Sequence, residues 1–165
     1  LLHHNLARLS LSAEVVEADI LDYIPPYQSD FIILDAPCSA TGTFRRHPDI
    51  FLHKKAPDLM RLQQTQIAML ERSLNWVVDD GALFYVTCSL QPEEGEEVIE
   101  TILATGQARL LPFTETELGI FSAASHPKGW ARILPSCLDH ISSDSANAGT
   151  GCDGFFVARL QPVRS

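Results

Sequence analysis

The amino-acid sequence predicts an α/β fold in which a mostly parallel sheet is linked by crossover helices. Three observations carry this expectation. Residues 30–36 (DFIILDA) and 82–88 (ALFYVTC) are short, continuous apolar runs, the pattern of strands buried on both faces of a parallel sheet. Segments of helical periodicity lie between and after them. Chemically useful residues stand at three expected strand ends: Asp19, then Asp35 with Cys38, then Cys88. In open α/β sheets, ligands sit at the carboxyl ends of strands.

The elements follow in order. Leu2, Leu6 and Leu9 fall at helical spacing, so residues 1–11 read as the end of an amphipathic helix. Residues 13–20 (AEVVEADI) read as a short strand, and Pro25 and Pro26 break the chain after it. Residues 40–57, rich in Gly, Thr, Pro and bases, read as a long loop after the strand at 30–36. Asp58 is suited to cap a helix whose apolar positions are Leu59, Leu62, Ile67, Leu70, Leu74 and Val77, ending at Asp80 and Gly81. The strand at 82–88 follows. Pro92, with acids in the first turn, opens a helix through Ala104. Helix-dipole preference thus accounts for Glu93, Glu94, Glu96 and Glu97 without a function. Residues 108–112, 130–134 and 155–160 read as further strands, and 142–151 (SSDSANAGTG) as a polar loop.

Composition bounds the function. With 45% hydrophobic and 20% charged residues over 165 positions, the chain suits one soluble globular domain. No apolar run approaches the ~18 residues a membrane span needs. The chain opens on LLHHNLARL without an initiator Met, which reads as the inside of a longer, cytoplasmic protein. Twelve bases against 21 acids give a net charge of −9, the wrong sign for gripping nucleic acid unaided. Yet Arg45, Arg46, Lys54, Lys55 and Arg61 cluster beside His47 and His53. A local basic face can hold phosphates on an acidic protein, although a solvated loop of mixed charge accounts for the cluster equally well.

Cys38, Cys88, Cys137 and Cys152 form no CxxC pair, so no zinc site of common spacing is expected, and reduced thiols are the default. The six histidines give no metal-ligand spacing either. No GxGxxG or GxxxxGK[ST] loop is present. Cys38 lies in a turn beside Pro37, among the hydroxyls of Ser39, Thr41 and Thr43, with Gly42 allowing close backbone approach. Cys88 ends a strand ahead of a helix N-terminus, a setting that can lower a thiol pKa from ~8.5 and make it a nucleophile. For both, a small buried hydrophobe is the commoner fate of a cysteine. Asp35, after four apolar residues, needs donors or a ligand, and the amides of its own loop would serve.

Two segments carry a more specific signal. DAPCSATGTFRRHPD (residues 35–49) and YVTCSLQPEEGE (residues 85–96) resemble motifs of the Sun/Fmu ribosomal RNA cytosine-carbon-5 methyltransferases, related to the Nop/NSun group. The resemblance spans nearly the whole chain, from NLARLSLSAEVVEAD (residues 5–19) to GCDGFFVARL (residues 151–160). It implies an incomplete Rossmann-like S-adenosylmethionine-dependent methyltransferase fold, with a C-terminal antiparallel strand and the first two strands missing. Residues 1–165 would be part of the catalytic domain. The family's Pro-Gly-Gly-Lys cofactor loop and its N-terminal RNA-binding domain would precede Leu1. The Leu1 helix and first strand are accordingly expected to be loosely docked or displaced.

By position, the resemblance makes Cys88 the nucleophile that adds to carbon 6 of cytosine. Cys38 assists loss of the carbon 5 proton and release of Cys88, and Asp35 hydrogen-bonds the base. It places Asp19 by the cofactor adenine, with Asp35 and Pro37 also on the cofactor side, and Arg45, Arg46 and His47 against the RNA backbone. Small-subunit ribosomal RNA is the implied partner, with no membrane and no metal. Two rivals are a truncated, non-catalytic packing or RNA/protein-binding module, and a cysteine hydrolase pairing Cys88 with His47 or His53. No nucleophile elbow or Cys-His signature supports the hydrolase. Cys137 and Cys152 carry no expected function.

Overall fold

The computed structural model describes residues 2–48, 58–138 and 151–164. The expected 142–150 portion of the polar loop, together with His53, Lys54 and Lys55, lies outside them. Among the described residues five strands form one sheet: β1 (Ser29–Asp35), β2 (Val77–Thr87), β3 (Ala108–Leu110), β4 (Ala131–Ile133) and β5 (Phe155–Pro162). β1 pairs parallel with β2, and β5 runs antiparallel to β2, β3 and β4. Four strands therefore point one way and the last one against them, as expected. β3 and β4 lie end to end along the outer edge of β5: Ala108 pairs with Pro162, and Ala131 with Val157.

Among the described residues four helices accompany the sheet: α1 (Leu2–Arg8), α2 (Leu59–Leu74), α3 (Glu96–Ala104) and the single turn α4 (Glu115–Leu118). Asp58 caps α2, its carboxylate accepting the Arg61 amide at 3.2 Å. Leu70 and Leu74 of α2, with Val98, Ile99 and Ile102 of α3, pack on Leu83, Tyr85, Phe156, Ala158 and Leu160 of the sheet. Each Leu, Val, Ile or Phe among them, fully removed from water, contributes about 1.5–3 kcal/mol. The opposite face is covered more thinly, by Phe113 against Phe84 and under Arg159.

Four sequence expectations change. Val77 is strand, not helix: the helix closes at Leu74 with Asn75 as its C-cap, and Val77 pairs with Ser29. The register then shifts between Ser29 and Phe31, so that Phe31 lies opposite Ala82. The helix expected from Pro92 is split into a 3₁₀ turn (Pro92–Glu94) and α3, with Gly95 between. β1 is not buried on both faces, since Phe31 and Ile33 are 72% and 75% exposed. Residues 13–20 form no strand. Among the described residues no strand pairs with that segment, and an unpaired strand has no ladder to hold it. It runs exposed to a turn at Asp19, with Ile20 reaching back to the core.

Candidate active site

The loops that follow β1 and β2 meet at the carboxyl end of the sheet. Parallel pairing in register up to Asp35 opposite Val86 brings both chain exits to one height. The amides and carbonyls beyond the strands continue the stitching: Ala36 N–H to Val86 O at 3.0 Å, Gly42 N–H to Cys88 O at 2.8 Å, and Gly154 N–H to Gly42 O at 2.8 Å. Gly42 is required here. A Cβ on it would come within 2.1 Å of Gly154 O and 2.8 Å of Cys88 O. Ala40 turns the loop in the left-handed region, φ 60° and ψ 26°, a conformation that costs a non-glycine residue about 1–2 kcal/mol.

This stitching places Cys38 Sγ 3.4 Å from Cys88 Sγ, both half-buried, although fifty positions separate them in the chain. Burial, ahead of the neighbouring Cys88, pushes the Cys38 thiol up to about 12. The amides of Ala40 and Cys88 pull the other way and are outweighed. Near neutrality Cys38 therefore keeps its proton, and its sulfur lies within hydrogen-bonding distance of Cys88. The sulfur partner of Cys88 is a thiol, not a histidine ring, so the Cys-His pairing of a hydrolase is not assembled among the described residues.

Behind the thiols lies a buried polar knot. Glu94, fully shielded from solvent, accepts the Ser39 amide at 2.9 Å, the Ser89 hydroxyl at 2.5 Å, the Gln66 side-chain amide at 3.1 Å and the Ser39 hydroxyl. Thr41 Oγ1 accepts the Leu90 amide at 2.8 Å and lies 3.2 Å from Ser89 Oγ. Tyr85 donates to Glu94 O at 2.8 Å, and burial pushes its phenol up, so it remains a neutral donor. Arg132, held by Glu96, donates to Ser89 O at 3.1 Å and lies over the Phe156 ring.

The remaining expected site residues are placed as follows. Asp35 ends β1 with its carboxylate exposed and making no hydrogen bond among the described residues. The Pro37 carbonyl accepts Gln66 Nε2 at 2.8 Å. Asp19 lies in the exposed turn, its carboxylate accepting the Leu21 amide at 2.9 Å. Arg46 donates through Nε to Asp153 at 2.6 Å, and Arg45 lies 3.9 Å from the other oxygen of the same carboxylate. The Arg46 guanidinium, ahead of all else, holds the Asp153 carboxyl below its usual range. Two guanidiniums thus share one carboxylate, leaving one surplus positive charge beside the exposed His47. Thr43 only closes its own turn, bonding to Ala40 O. Cys137 and Cys152 both contact the backbone of Leu134. Among the described residues no group of three or more His, Cys, Asp and Glu could hold a metal, and no helix is long and apolar enough to cross a membrane.

Sequence reasoning missed Glu94, Gln66 and Arg132. Gln66 did leave a signal, a polar residue in the apolar stripe of α2 between Leu62 and Leu70. Glu94 left none, being one acid among several.

A family model described as 16S rRNA methyltransferase RsmB/F matches residues 1–161. The chain belongs to this family. Curated relatives named ribosomal RNA small subunit methyltransferase B include that of Shewanella oneidensis, 38% identical over 160 residues, and that of Pseudomonas putida, 42% identical over 162. Each alignment covers 94% of this chain but 33% of the relative, so the chain spans about a third of their length. Among solved structures, a methyltransferase homolog from Pyrococcus horikoshii aligns with a TM-score of 0.66 at 27% identity, covering 98% of this chain and 48% of that one. NSun6 from Pyrococcus horikoshii, solved with SFG, shares the fold, with a TM-score of 0.71 at 23% identity over 99% of this chain and 38% of that one. The mixed sheet is accordingly a partial Rossmann-like methyltransferase fold.

Proposed function

We propose that this chain is the part of a ribosomal RNA methyltransferase that carries the chemistry on the base, adding a methyl group to carbon 5 of a cytosine through a covalent Cys88 adduct. The single observation behind this reading is the 3.4 Å contact between two thiols delivered by different strand ends. Carbon 5 of cytosine is a poor nucleophile. When the Cys88 thiolate adds to carbon 6, electron density moves onto carbon 5, and one hard step becomes two easier ones. S-adenosylmethionine, when bound, supplies the methyl group as an electrophile. The proton on carbon 5 then passes to water, the electrons of its bond restore the carbon 5–carbon 6 double bond, and the Cys88–carbon 6 bond breaks with its electrons returning to the Cys88 sulfur. Cys38 serves that last stage: a thiol that keeps its proton, within donating distance, stabilises the departing thiolate.

The residues present fit one side of the cofactor and base. The Asp35 carboxylate, exposed at the strand end without a partner among the described residues, is free to accept from an amino group of either. Pro37 keeps the chain beside it extended, its carbonyl engaged with Gln66. Asp19, on the exposed turn, belongs to the adenine side. The surplus charge of Arg45 and Arg46, with His47, is suited to the phosphates of RNA. The target cytosine has to leave its stack to reach two half-buried thiols. Ribosomal RNA of the small subunit is the substrate class the family membership favours.

The test uses the full-length protein with RNA containing 5-fluorocytosine, in which carbon 5 carries no removable proton. The wild type forms a covalent complex that survives denaturing electrophoresis. Cys88→Ala abolishes it, whereas Cys38→Ala accumulates a covalent complex even with unmodified RNA. A complex formed equally well by Cys88→Ala would refute the reading.

A further inference from the structure

We infer that Glu94 is a positioning residue, a buried clamp whose carboxylate sets the distance between the two thiols. Its two oxygens receive donors from both thiol-bearing loops at once. Ser39, directly after Cys38, gives its amide and hydroxyl; Ser89, directly after Cys88, gives its hydroxyl. Gln66 anchors the same carboxylate to α2 and, through its second donor, the Pro37 carbonyl before Cys38. Glu94 also holds Tyr85, on β2, through its own carbonyl. A carboxylate with no solvent exposure is retained only where donors satisfy it, and here they do. Charge-assisted bonds of this kind are about twice as strong as neutral ones, so the clamp is stiff. Among the described residues no other side chain bonds to both Ser39 and Ser89, whose hydroxyls lie 3.2 Å apart.

The consequence is selective. Addition of Cys88 to a base needs one thiol, while release needs both at contact distance. Loosening the clamp therefore slows the second stage more than the first. For the RNA readout this inference rests on the proposed function; for the thiol readout it does not.

The thiol readout is disulfide closure by diamide in the full-length protein. The Cys88 thiolate adds to the N=N bond, then the Cys38 sulfur attacks Cys88, forming the S–S bond and expelling the hydrazine, which takes up both thiol protons and both electrons. Glu94→Gln keeps the volume and one accepting oxygen; Glu94→Ala removes the clamp. Closure slows by about tenfold in Glu94→Gln and about a hundredfold in Glu94→Ala. Alkylation of Cys88 by iodoacetamide stays within about twofold, a ratio that general loosening of the fold would not produce. If neither Glu94 variant folds, the double variant Ser39→Ala with Ser89→Ala cuts the clamp from the loop side and slows closure likewise. With unmodified RNA, Glu94→Gln accumulates covalent complex as Cys38→Ala does. Wild-type closure rates in the folded variants overturn the inference. Slowed closure in a protein whose wild type forms no adduct with 5-fluorocytosine RNA leaves the clamp standing and removes the methylation reading.

Discussion

Cys38 and Cys88 touch, and burial decides the state of the first of them. Cys38 is pushed up to about 12, chiefly by burial, so near neutrality it is a proton-bearing thiol. Thiolates, not thiols, react with alkylating agents. At pH 8, iodoacetamide should label Cys88 well ahead of Cys38 in peptide mapping of the full-length protein; equal labelling would contradict the division of labour. The linkage sign also follows. A thiol raised on folding adds nothing to pH dependence below its unfolded value near 9. Between there and about 12 the unfolded chain loses the proton first, and stability falls. At this scale the sequence showed which residue types were available but not their state. Glu94 illustrates why. Amid Glu93, Glu96 and Glu97 it has the same local sequence logic, and only the packing of Ser39, Ser89 and Gln66 around it makes it a buried acceptor.

Strand ends and loops decide how the site is held. Gly42 sits between two backbone segments, with Gly154 O on one side and Cys88 O on the other. Gly42→Ala should therefore cost about 3 kcal/mol, because backbone rather than a flexible side chain has to yield. Urea denaturation measures it; an unchanged midpoint would mean that the two loops part freely. Element existence was largely legible. The strands at 30–36, 82–88, 108–112, 130–134 and 155–160, the helices, and the Asp58 cap all have counterparts. What failed has a common cause. Val77 and residues 13–20 were assigned from local pattern, and both were decided by pairing: Val77 found Ser29 as a partner, and residues 13–20 found none among the described residues. The exposure of Phe31 and Ile33 belongs with this, since nothing described covers that face of β1.

Across the whole molecule, β5 and the segment packed over its thinner face give stability a pH dependence. Arg159 of β5 bonds to Glu117 of α4 at 2.7 Å, and Thr114 completes a capping box there. Arg159, ahead of the Thr114 bonds, holds the Glu117 carboxyl down to about 2. A carboxyl lowered on folding stabilises above its ordinary value near 4.5 and loses that contribution as pH falls towards 2. Arg159→Met should flatten the decline of the thermal midpoint over that window, as read by circular dichroism; an unaltered slope would place the acid sensitivity elsewhere. The resemblance in the two cysteine segments extends to family membership over residues 1–161, and apolar runs with helical periods between them are a local property that any reader of the chain can see. The sequence by itself thus determined the α/β class, the order of elements and the candidate thiols, because side-chain spacing dictates which face each element can bury. Only the tertiary structure decided that Cys38 and Cys88 share one contact, that Glu94 lies beneath them and that Arg46 faces Asp153. Those are long-range facts, and they depend on strand register and on which buried charge finds enough donors, neither of which a local pattern contains.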